Sequence, residues 1–125
     1  MDDVTRFLMA SGLKPVEQRF LGSDFLLGLQ VTTPHYSLTY RQEKERLILC
    51  DFTATAADGQ ALLALMTLLR RIVKAVPTLR YVDAMVLPSR DPELNRARQH
   101  LSDIMLAEGA QPIRLDDELW LRYHC

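Results

Sequence analysis

Hydrophobic and polar positions along this chain change period several times, and each change marks an element. Asp2 or Asp3 offers an N-cap to a short helix whose Val4, Phe7 and Leu8 share one side, and Gly12 stops it. Gly22 opens a strand over Asp24 to Val31, and Thr32 to Pro34 reads as a turn. From His35 to Arg41 the pattern alternates. Tyr36, Leu38 and Tyr40 fall on one face and His35, Ser37 and Thr39 on the other, as in a half-buried strand. The mixed charges of "RQEKERL" make a solvated hairpin tip, and Arg46 to Phe52 is apolar enough to be a central strand. Together the three runs predict an antiparallel meander.

A helix from Asp58 to Val76 follows, with Asp58 as its N-cap and Pro77 as its stop. Centred on Leu65, its apolar arc takes in Leu62, Leu69, Ile72, Val73 and Val76, flanked by Ala61, Ala64, Met66, Leu68 and Ala75. That arc spans about 200°, against the roughly 100° a helix needs to rest on a core. Thr67, Arg70, Arg71 and Lys74 form the opposite stripe, and Leu63 interrupts it. Leu79 to Leu87 is a strand between prolines. Asp91-Pro92 caps and opens a second long helix with Leu94, Ala97, Leu101, Ile104 and Met105 on one stripe, ended by Gly109. Ile113 to Leu115 and Leu119 to Tyr123 close the chain as a hairpin around Asp116-Asp117. The expected order is α-β-β-β-α-β-α-β-β. It forms one α/β (α+β) domain over residues 1–125, with helices packed on a mixed, mostly antiparallel sheet. The strands flanking the Asp58 helix should be parallel if they are neighbours.

Composition changes this picture little. At 125 residues, 48% hydrophobic and 25% charged, the chain can build its own core. A net charge of -1 gives no basic face for nucleic acid. No apolar run is long enough for a membrane span, and the acidic start is unlike a signal peptide, so a cytoplasmic protein is expected. Cys50 and Cys125 read as free thiols.

The strand–glycine–helix junction is the first candidate for chemistry. Strand, glycine turn, helix, strand, helix and hairpin in that order resemble the acyl-coenzyme-A half of a GNAT-type acetyltransferase. The resemblance implies a pyrophosphate bound on backbone amides at a helix N-terminus, through an Arg/Gln-x-x-Gly-x-Gly/Ala loop. The matching residues are Ala56-Ala57-Asp58-Gly59-Gln60-Ala61. The Arg/Gln position is alanine, and Asp58 puts a carboxylate where phosphates would lie. Met105 stands where the family often has a proton-donating tyrosine. Catalysis and a cofactor are therefore not expected. His35, His100 and His124 lack ligand spacing, so no metal is expected either. Asp116 and Asp117 read as turn residues, Asp83 as pointing to the core or to an edge, with a satisfied edge residue expected, Cys50 as a small buried hydrophobe and Trp120 as a core anchor or an interface residue. Ser11, Ser23 and Ser37 have no nearby base.

The chain as a whole is similar to small type III secretion proteins of the low-calcium-response regulator type (LcrR/SseE type). The similarity is carried by "FLGSDFLLGLQ", "YSLTYRQEKERLILCDF", "LLALMTLLRRIVKAVPTLRYVDAMVL" and "ELWLRY". It implies a cytoplasmic accessory, regulatory or chaperone-like protein that binds other secretion proteins, such as needle-tip, translocator or regulatory components. A homodimer is left open. An effector chaperone of the Tir-chaperone type fits less well, because such chaperones are acidic and lack the second long helix. The expected partner surface is Leu63, Thr67, Arg70 and Arg71 on the Asp58 helix, together with Trp120; an open sheet edge is a second route.

Overall fold

The computed structural model describes residues 2–19, 26–54, 60–85 and 92–125. Helix α1 (Asp3–Ala10) precedes β1 (Val16–Arg19), β2 (Leu26–Thr32), β3 (Tyr36–Glu43) and β4 (Arg46–Ala54). Then come α2 (Gln60–Ala75), β5 (Tyr81–Met85), α3 (Pro92–Ala107), β6 (Gln111–Leu115) and β7 (Glu118–His124). The seven strands form one sheet in the order β1-β2-β3-β4-β5-β7-β6. Among the described residues only β4 and β5 run parallel, and α2 connects them; the other pairs are antiparallel. The meander, the parallel pair and the closing hairpin are as the periodicity predicts.

One strand lies outside the expected order. Val16–Arg19, "VEQR", is an edge strand whose four side chains are exposed or half-buried. It has no hydrophobic alternation to betray it, and its pairing with β2 alone makes it a strand. The expected cap at Asp58, the Ala56–Gly59 turn, Gly22, Ser23 and Asp91 lie outside the described residues. So do the side chains of Leu62, Leu94, Ala97, His100, Leu101 and Ile104.

Asp2 caps α1 as expected, its carboxylate accepting from the Thr5 amide at 2.6 Å. Gly12 and Gly109 take positive φ just after α1 and α3, the conformation in which glycine ends a helix without strain. Asp116 and Asp117 also have positive φ, at 52° and 64°, as a two-residue hairpin turn requires. Their place in the turn accounts for both.

The core lies on one face of the sheet. Val4 and Leu8 of α1, Leu65, Leu68, Leu69 and Ile72 of α2, and Met105 of α3 meet the inward residues of the strands in a single cluster. Tyr36, Leu38 and Tyr40 supply that face of β3, as their alternation predicts. In β4, strict alternation from Leu47 and Leu49 would next turn Asp51 inward. Instead the register with β3 shifts at Cys50, since Thr39 pairs with Asp51 but Tyr40 with Leu49. This bulge restores the phase: Phe52 is buried and Asp51 exposed. Among the described residues Ile48 is the one buried hydrophobe outside the cluster, because it faces the sheet's other side.

Candidate protein-binding surface

The outer side of α2 is built by spacing alone. Leu63, Thr67, Arg70 and Lys74 recur at intervals of four, three and four residues, so they stand in one line along the helix. All four are exposed, Leu63 to 65%. Arg70, Arg71 and Lys74 are the only charges on Gln60–Ala75, and all are positive.

Between the lower half of that line and α3 lies a pocket of about 180 Å³. Met66, Leu69 and Val73 of α2, Met105 of α3, and Val82 and Tyr123 of the sheet line it. Its rim is charged. Arg70 Nη2 donates to Glu108 Oε1 at 2.6 Å, a bridge between α2 and the end of α3, and Lys74 completes the rim. No described residue forms an ion pair with Lys74.

The predicted partner residues do not form one patch. Leu63, Thr67 and Arg70 share the line that leads to the pocket. Arg71 is turned toward α1: its guanidinium lies 5.5 Å over the Phe7 ring, and Nη2 reaches Ser11 Oγ at 3.3 Å. It helps close the flank of α2 on that side. Trp120 belongs neither to this surface nor to the buried core. It is half-buried on the opposite face of the sheet, with Arg46 5.6 Å over its ring.

That opposite face holds a polar cluster around Asp83, which corrects its reading as an edge residue. Asp83 sits on β5, between β4 and β7, and is fully buried. Arg122 of β7 grips it with a two-pronged contact, Nε and Nη2 each 3.0 Å from a carboxylate oxygen, and Arg46 Nε donates to it at 2.7 Å. The register explains the meeting, since Ile48, Asp83 and Arg122 are direct neighbours across β4, β5 and β7. The hydrogen bond to Asp83 pushes the Arg122 guanidinium up, against the opposing effect of burial. Arg122 also lies 4.1 Å over the Tyr81 ring. The signal in the sequence is one acid inside the apolar run "YVDAMVL", with an arginine in each strand that becomes its neighbour.

A cleft of about 330 Å³ opens on the same face, with Ile48, Leu115 and Trp120 among its walls. Arg46 is held by Asp83, whereas the buried Arg41 Nε lies 3.1 Å from Glu43 Oε1 without a hydrogen bond to it. Half-buried Cys50 has its thiol pushed up by burial, which lowers its thiolate fraction. His35 is exposed in the β2–β3 turn, and exposed His124 lies edge-on to Tyr81 at 5.2 Å between centroids. Among the described residues no three His, Cys, Asp or Glu side chains are grouped to hold a metal. No described helix is long and apolar enough to cross a membrane.

The fold and this surface define an α+β protein with a mixed seven-stranded sheet, a helical layer on one face and an arginine-bound acid on the other. No family model and no curated protein matches the chain.

Proposed function

We propose that the chain is a non-catalytic accessory or chaperone-like protein of a bacterial type III secretion system. It works in the cytoplasm by binding other secretion proteins through the outer line of α2. The secretion setting comes from the resemblance to low-calcium-response regulators. The observation that carries the binding role is Leu63, a leucine 65% exposed at the head of a line that ends at an apolar pocket. A single exposed leucine is common on protein surfaces, but one a helical turn from Met66, which lines an open apolar pocket, is a docking feature.

The test is Leu63→Asp. A charge at an exposed helix position should leave the circular dichroism spectrum and melting temperature close to those of the parent. Recovery of a needle-tip, translocator or regulatory component by affinity purification should fall several-fold. Equal recovery at equal expression would remove this line from the partner surface.

A further inference from the structure

We infer that the pocket between α2 and α3 receives a large apolar side chain from an acidic segment of a partner protein. The inference rests on the proposed role of α2 in binding. The pocket's apolar lining includes Met66, Val73 and Met105. A dry, apolar cavity of about 150 Å³ admits a benzene-sized group, so about 180 Å³ suits one aromatic or branched aliphatic side chain and not a larger cofactor. Methionines on two facing elements let the walls adjust to the group that enters.

Charge selects the flanking chemistry. The α2 face beside the pocket has arginine and lysine and no carboxylate. Among the described residues the one acid at the rim, Glu108, is paired with Arg70 at 2.6 Å, which leaves Lys74 facing outward. A glutamate or aspartate beside the anchor would meet Lys74. It could also take Arg70 from Glu108, whereas a basic segment would meet like charge from Arg70 and Lys74 along the C-terminal half of this face.

The experiment uses full-length protein with 13C-labelled methionine methyl groups. It is titrated with a synthetic amphipathic peptide that has glutamates on its polar side and one phenylalanine on the other. The Met66 and Met105 methyl signals should shift saturably. Replacing the peptide's phenylalanine by alanine should weaken binding about tenfold or more, as for a buried anchor. Reversing the peptide's glutamates to lysines should do the same, and Lys74→Glu, at an exposed site that leaves the fold alone, should reverse the charge preference. If Met105 stays still at millimolar peptide, or the lysine peptide binds as well, the assignment is overturned. A Met105 signal that moves with protein concentration alone would make a second copy the occupant and overturn it equally. The two proposals fail separately. Loss of partner with Leu63→Asp but no Met105 response keeps the binding surface and removes the acidic anchor. A selective Met105 response with unchanged partner recovery does the reverse.

Discussion

Among the described residues Asp83 is the one buried charged side chain. A carboxylate with no solvent contact needs full compensation, and three guanidinium contacts at 2.7–3.0 Å provide it. Removing the charge would leave Arg46 and Arg122 facing each other across a neutral amide. Asp83→Asn is therefore expected to destabilise the fold by about 3 kcal/mol in urea denaturation. A loss well below about 1 kcal/mol would mean that water already screens the cluster.

Tyr40 gives a second prediction at this scale. Its hydroxyl shares a 2.7 Å hydrogen bond with the buried Thr5 hydroxyl, which seats α1 on β3. Burial pushes the Tyr40 phenol up from its ordinary 10.0 to about 12. The unfolded chain therefore ionises first. Stability from this group is complete below about pH 10 and is lost as pH rises toward 12. Melting temperature should fall across that window. Tyr40→Phe should flatten the fall while costing about 1 kcal/mol at neutral pH, because Thr5 loses its partner.

At the scale of elements, backbone approach decides where β2 can lie. A Cβ on Gly28 would overlap the Tyr40 carbonyl oxygen and come within 3.1 Å of its carbonyl carbon. Backbone atoms cannot swing aside as a side-chain tip can, so the β2–β3 seam must open to admit a methyl group. Gly28→Ala should cost about 2 kcal/mol, the usual size of an overpacking penalty. Amide exchange should rise first at Leu29–Thr32 and their β3 partners. Protection lost evenly over the sheet would place the strain elsewhere.

Helix α2 shows how much of a surface sequence can specify. The polar stripe Thr67, Arg70, Arg71 and Lys74 is exposed throughout, and Leu63 interrupts it as read. A helical wheel gives angles about one axis, so it separated most of the described outward and inward residues, although Ala75, placed on the apolar flank, is exposed. It could not say which neighbour lies beside each flank. Arg71 therefore read as part of a partner surface, although α1 takes it up. Met66 and Val73 read as core flank and arc; they do pack against the core, and they also line an open pocket. Met105 read as one member of an apolar stripe, and only the packing of α3 beside α2 makes it the far wall.

At the scale of the whole molecule, the chain realises the order that prompted comparison with acetyltransferases: a strand, then α2, a parallel neighbouring strand, α3 and a terminal hairpin. Fold order does not carry an activity with it. Met105, at the position that family often gives to a tyrosine acid, is buried in the core and has no proton to donate. The expected outcome with acetyl-coenzyme A is no change in melting temperature. A true ligand at a hundred times its dissociation constant would add about 2.7 kcal/mol, so a clear upward shift would favour the enzyme.

By itself, the sequence determined the alternation of elements, the inward face of β3, the end of α2 before Pro77, the hairpin at Asp116-Asp117 and the exposure of Leu63. Each of these follows from periodicity or from the local preferences of a few adjacent residues. Tertiary structure alone decided that "VEQR" is a strand, that Cys50 bulges so Asp51 faces out, and that Asp83 is a buried hub. It also decided that Trp120 and Leu63 lie on different sides of the sheet. All of these are set by which strand pairs with which, and in what register; that information is shared between segments far apart in the chain and is written in neither one alone.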